Sequence, residues 1–262
     1  MNILSFRKTL LLWPLLLLTA CASNVMYRSD YDICTYEGPG DCAENALQVS
    51  APGATGEYRL GFVEYNDQGQ LRDPEQVEKV LGEFQQLAGG PDDVLVVSFV
   101  HGWHHSAAPE DGNIQSFRKM LRDISVMEEI GSRQQKRNKR KILGLYIGWR
   151  GDSISVPYVN SVTFWDRKST AHDVGTLGVT EVLLRLEEIV NVKKGIEQEV
   201  PPPLTSRLVV IGHSFGGAVV YTSLQKILLD RFIDSRVGKT FQGDAQGFGD
   251  LVVLMNPAFE AI

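Results

Sequence analysis

The apolar positions of this chain switch repeatedly between a period of two and a period near 3.6. Tyr58, Leu60 and Phe62 alternate with other residues up to the polar Glu64, which predicts a strand that Asn66-Asp67-Gln68-Gly69 ends. Asp73-Pro74 supplies a cap and a first-turn proline to a helix carrying Val77, Val80, Leu81, Phe84 and Leu87, closed by Gly89-Gly90. Val94 to Val100 is apolar except for Ser98, the mark of a strand buried on both faces of a parallel sheet. A helix over about 115–129 follows, with Phe117, Met120, Leu121, Ile124 and Met127 on one face. Ile142 to Trp149 predicts a second buried strand, and Val179, Val182, Leu183, Leu186, Ile189 and Val190 a helix over about 174–192. Arg207 to Ile211 predicts a third buried strand, Gly216 to Leu229 a helix, and Leu251 to Met255 a fourth strand. Strand and helix therefore alternate at least four times, which predicts an α/β domain: a mostly parallel sheet with helices on both faces.

Residues 22–57 show no sustained period and are rich in Asp, Glu, Gly, Ser and Asn, so 21–57 reads as a tether and 58–262 as the domain. Two hundred and sixty-two residues suit one domain of this kind. The net charge of -6 argues against nucleic acid as the main partner, since phosphate binding needs a basic face. The run 133–141 holds six basic residues in nine. It reads as a solvated loop, with contact to anionic lipid headgroups as the sharper alternative.

The first twenty residues hold a compartment signal. Arg7 and Lys8 precede an apolar run from Leu10 to Leu18, too short for a bilayer span of about 20 residues and typical of a secretory signal peptide over 1–20. Leu18-Thr19-Ala20-Cys21 resembles the lipobox of bacterial lipoproteins. That resemblance implies cleavage before Cys21, lipidation of its thiol and attachment to a membrane. Ala22, standing where an inner-membrane retention signal would place Asp, favours the outer membrane of the cell envelope. Removing 1–20 takes away two basic and no acidic residues, leaving 24 against 32, or -8, so acyl chains and not bulk charge would supply membrane affinity. Cys34 and Cys42, eight apart in such an oxidising compartment, are candidates for a disulfide; two free thiols are the alternative.

Two motifs carry candidate chemistry. Gly212-His213-Ser214-Phe215-Gly216 lies directly between a predicted strand and a predicted helix, the setting in which G-x-S-x-G forms a nucleophile elbow. Such a turn lifts the Ser214 hydroxyl above the sheet at the positive end of a helix, which favours a developing oxyanion. His101-Gly102-Trp103 follows the Val94 to Val100 strand. With these two motifs, the region from Val94 onward resembles the α/β-hydrolase fold of serine esterases and lipases. The resemblance implies a Ser214 nucleophile acting on ester or thioester carbonyls, and an oxyanion hole built from the N–H groups of Trp103 and Phe215. His101, Gly102, His104 and His213 would then shape the pocket and its turns. An apolar acyl ester is the implied substrate, and no cofactor is implied.

Competing assignments of the same residues are weaker. His101, His104 and His105 together suggest zinc, but no carboxylate or Cys at suitable spacing joins them, so no metal is assigned. Residues 150–173, with Val156, Pro157, Tyr158, Val159, Phe164 and Trp165, are either a lid over an acyl cleft or a loop packed on the core. Ser223-Leu224-Gln225-Lys226 mimics S-x-x-K but lacks that motif's companions.

The family orders its triad Ser, then acid, then His. The histidines here are His101, His104, His105, His172 and His213, and none follows Ser214. Three explanations stay open: C-terminal strands missing from the chain, substitution by an upstream histidine such as His172, or a catalytically inactive envelope lipoprotein serving as a binding or structural module. Glu260, just past the last predicted strand, is a candidate triad acid; a glutamate placed near a helix start for its charge is the alternative.

Overall fold

A computed structural model describes residues 25–151, 164–197, 206–237, 240–241 and 245–258. Their element order is β1 (Asp30–Tyr36), β2 (Asn45–Ser50), β3 (Tyr58–Glu64), α1 (Pro74–Ala88), β4 (Val94–Val100), α2 (Gly112–Gln135) and β5 (Lys141–Gly148). Then come α3 (Phe164–Val174), a π-helical turn (Gly175–Val179), α4 (Thr180–Glu197), β6 (Arg207–His213), α5 (Phe215–Asp234), β7 (Arg236–Val237), β8 (Thr240–Phe241) and β9 (Leu251–Met255). Seven strands form one sheet in the order β1-β2-β3-β5-β4-β6-β9. Its only antiparallel pair among the described strands is β2 with β3. The α/β class expected from the pattern is thus present, with a mostly parallel sheet.

The period-two register sorts each strand's side chains onto two apolar faces. Val94, Val96 and Val100 of β4 pack with Val80 and Phe84 of α1, Leu183 and Leu186 of α4 and Val219 and Leu224 of α5 on one face. Val97 and Phe99 pack with Ile114, Phe117 and Leu121 of α2 on the other. Each helix presents its apolar stripe to a strand that has no solvated side, so burial on both faces supplies the main stabilisation. Asp73 caps α1, its carboxylate accepting from the Glu75 amide at 2.9 Å, and Asp111 caps α2 in the same way through Asn113 at 2.8 Å.

Residues 30–50 belong largely to the sheet. This stretch, expected to be tether, contributes β1 and β2 to the sheet. Its register is held by Arg28, whose buried guanidinium donates to the carbonyls of Ala107, Cys42 and Ala43 at 3.0, 3.0 and 2.7 Å. Burial lowers the Arg28 pKa to about 10. The expectation of a tether rested on absent hydrophobic periodicity, and β1, being mostly exposed, has little periodicity to display. Cys34 and Cys42 are joined by a disulfide. Closing so short a loop removes about 2–3 kcal/mol of unfolded-state entropy. Reduction should lower stability by about that amount, which guanidinium melts with and without reductant measure.

Part of 150–173, expected to be a lid or loop, is also regular. Residues 164–174 form α3, with Ala171 and Val174 fully buried in the core. Val156, Pro157, Tyr158 and Val159 lie outside the described residues, as do the signal segment, Cys21 and Glu260.

The strand connections change direction within the sheet. The chain leaves β4 through α2 toward β5, whereas it leaves β6 through α5 toward β9. These neighbouring strands thus send their connections in opposite directions, a switch point of the kind beside which open α/β sheets commonly bind ligands. His101-Gly102 and Ser214 are the residues at the C-terminal ends of these two strands.

Candidate active site

Ser214 occupies the single residue between β6 and α5, at φ 54 and ψ -121. A non-glycine residue in that region of backbone space stores about 1–3 kcal/mol and persists only where neighbours over-determine it. Here they do. The Ser214 amide donates to the Met255 carbonyl of β9 at 2.9 Å. Its carbonyl accepts from the amides of Gly217 at 2.9 Å and Ala258 at 3.2 Å. The turn also needs close backbone approach: a Cβ on Gly216 would lie 2.1 Å from the Val100 carbonyl oxygen and 2.6 Å from that of His101. Ser214 is half-buried at the head of a twenty-residue helix, whose positive end favours negative charge.

The His101-Gly102-Trp103 turn abuts this elbow. A Cβ on Gly102 would stand 2.7 Å from the Ser214 Cβ, 2.8 Å from the His213 carbonyl oxygen and 3.4 Å from His213 Nδ1. The rings of Trp103 and Phe215 are 6.1 Å apart, so the two residues expected to supply oxyanion amides are neighbours. Phe215 is the first residue of α5, and its amide precedes the intrahelical hydrogen-bond ladder. His104 is exposed, has φ 65 and stacks on Trp103 at 4.0 Å.

His101 is a support beneath the turn. Its Nε2 accepts from the Trp149 amide at 3.0 Å, which leaves the proton on Nδ1 to donate to the Gly102 carbonyl at 2.9 Å. The indole Nε1 of Trp149 donates back to the His101 carbonyl at 3.0 Å. The imidazole is stacked against Trp149 at 5.5 Å with an interplanar angle of 3°, and against Tyr146 at 5.5 Å. Complete burial pushes its pKa down to about 4. Both ring nitrogens are thus engaged by backbone groups of Gly102 and Trp149. Sequence reasoning found His101 through the motif but missed Trp149 and Tyr146, which hold it; an aromatic in a strand carries no signal beyond core.

The lowered pKa has a consequence for stability. Between about pH 4 and the free value of 6.5, the unfolded chain binds a proton at His101 that the folded protein refuses. The stabilisation is therefore complete above about pH 6.5 and is lost as pH falls toward 4. By linkage it amounts to about 2 kcal/mol between pH 7 and pH 5. Asp111, whose pKa is also lowered, acts below its ordinary 3.8 and so outside this window. Glu64, whose pKa burial raises from its ordinary 4.5, acts with the opposite sign as pH falls, so the difference carries the test: denaturant midpoints should drop from pH 7 to pH 5 by clearly more in the wild type than in His101→Gln.

The remaining histidines are placed as follows. His105 Nδ1 pairs with Asp111 at 3.0 Å, and that carboxylate also accepts from the Ser106 amide at 2.9 Å, fixing the loop behind the turn. His172 bonds the Thr222 hydroxyl at 3.1 Å. Thr222 lies eight residues along α5 from Ser214, about 12 Å by helical rise, so the suggestion that His172 acts on Ser214 is not supported by its position. Comparison with protein-family models, with curated proteins and with solved structures returned no match.

Proposed function

We propose that the protein is a serine hydrolase of the α/β-hydrolase type, cleaving carboxylic ester or thioester bonds through an acylated Ser214. The observation that carries this reading is the strained Ser214 on a strand-to-helix hinge, packed against the Gly102 turn where β4 and β6 send their connections in opposite directions. Strain of this kind is retained where it aims a reacting group. In the proposed reaction the Ser214 oxygen attacks the carbonyl carbon while its proton passes to a general base. The amides of Trp103 and Phe215 hold the oxyanion, each donor contributing roughly 3 kcal/mol. Collapse expels the alcohol or thiol, which takes up that proton; water then attacks the acyl-serine, releasing the acid and returning a proton to Ser214. The proposal assigns the nucleophile and the two amides, and no base.

Lipid attachment at Cys21 and residence at the outer membrane belong to the same proposal; the lipobox-like sequence supports them. The test is product analysis with the full-length protein on p-nitrophenyl and thioester substrates of graded acyl length. Stoichiometric release of acid and alcohol is expected, with preference for apolar acyl groups. Absence of hydrolysis from a folded sample would favour the binding-module alternative.

A further inference from the structure

Every central strand of the sheet ends at the same pole. β3, β5, β4 and β6 are mutually parallel, so Glu64, Gly148, Val100 and His213 terminate together, and Ser214 stands on that rim. The N-terminal segment of the domain is fastened to this same rim. The Glu64 carboxylate accepts from the Tyr27 amide at 3.0 Å and the Arg28 amide at 2.7 Å. Gln76 receives the Glu64 amide at 2.7 Å and donates to the Arg28 carbonyl at 2.7 Å. The Arg28 guanidinium reaches the Ala107 carbonyl, in the loop that continues from the Gly102 turn. Val25 shares a small cleft with Ser106, Ala107 and Trp149. The basic run 133–141, by contrast, leads into the start of β5 and so occupies the opposite pole.

Chain length then sets orientation. Cys21 stands four residues before Val25, a reach of at most about 14 Å. A domain of this size has a radius of gyration of about 18 Å and is thus far wider than the tether is long. From β3 to β6 is three strand steps, about 14 Å across the rim. A lipid on Cys21 would leave the domain too little chain to turn its other end to the bilayer.

We infer that the rim carrying Ser214 is held against the bilayer to which Cys21 is anchored, so that the site draws acyl esters from that leaflet. This rests on the proposed lipidation and, for the substrate, on the proposed hydrolase activity. It sets aside the headgroup reading of 133–141, because that run points away from the anchored surface.

The decisive experiment separates these layers. Full-length lipidated protein is placed in phosphatidylethanolamine–phosphatidylglycerol vesicles containing headgroup-spin-labelled lipid, with a bimane fluorophore on Gln68→Cys at the rim or Asn138→Cys at the opposite pole. Both positions are exposed. Strong quenching at 68 and weak quenching at 138 is expected. Equal or reversed quenching overturns the orientation, and an intact mass without acyl chains at Cys21 overturns its premise; either result leaves the Ser214 reading standing. A flexible insertion of about twenty Gly and Ser residues between Ser23 and Asn24, reaching about 25 Å on average, should bring the two quenching levels together. The same insertion should lower hydrolysis of a vesicle-embedded ester at least about five-fold while leaving a soluble short-chain ester unaffected. Unchanged vesicle hydrolysis overturns the leaflet-substrate part, whereas silence toward both esters before the insertion marks failure of the hydrolase reading itself.

Discussion

Replacing Ser214 by alanine should reduce ester turnover at least about a thousandfold, because the proposed acyl-enzyme route closes and only binding and the proposed oxyanion stabilisation remain. The loss should fall on kcat more than on KM, since the hydroxyl acts in bond formation and adds little to ground-state binding. Stability should hardly change, as alanine keeps both the backbone strain and the turn's hydrogen bonds. Ser214→Gly provides the complementary observation. At φ 54 a glycine carries no Cβ penalty, so this variant should be more stable than wild type by about 1 kcal/mol while equally inactive. Gain of stability on loss of the side chain would show that the hinge holds Ser214 at a cost. Turnover within about ten-fold of wild type in either variant would remove Ser214 from the chemistry.

Gly216→Ala should be the most damaging glycine-to-alanine change among the described residues, lowering stability by about 3–5 kcal/mol or preventing folding. The added carbon would meet two carbonyl oxygens, of Val100 and His101, at 2.1 and 2.6 Å. Neither oxygen belongs to a flexible side chain; both are backbone, at the end of β4 and in the turn that follows. Relief therefore requires α5 to move away from the sheet, which opens the elbow. Gly82→Ala is the control: it is exposed within α1, nothing lies within 4 Å of the added methyl, and helix propensity should make it more stable by about 0.5–1 kcal/mol. Urea midpoints of the two variants should move in opposite directions. A Gly216→Ala protein as stable as wild type would mean that the strand-to-helix packing described for the elbow is wrong.

The strands that pack on both faces were legible because burial on both sides leaves almost only apolar residues. Val94 to Val100 and Arg207 to Ile211 have no polar face to confuse their period. The same physics hid β1. As a strand at the sheet's edge it keeps Asp30, Asp32 and Thr35 exposed, and what secures it is the side chain of Arg28 and a disulfide, neither of which has a hydrophobic period. At the candidate site, the elbow could be read because its glycines are demanded by close approach at fixed spacing. The hydrogen bonds joining His101 to Trp149 could not, since they link residues 48 positions apart through a pairing that only the folded sheet brings together. Helix α3 was missed because the loop reading of 150–173 weighed aromatic content and not period, although Ala171 and Val174 sit at helical spacing.

One measurement bears most directly on the central claim, that Ser214 is an activated hydroxyl facing preorganised amides. Folded full-length protein is treated with a fluorophosphonate, and the adduct is located by peptide mass spectrometry. A single stoichiometric phosphonyl group on Ser214, absent after acid unfolding or in Ser214→Ala, is the expected outcome. A folded protein that stays unmodified, or one labelled at another residue with Ser214 intact, would contradict the account and point to a binding module on this α/β scaffold.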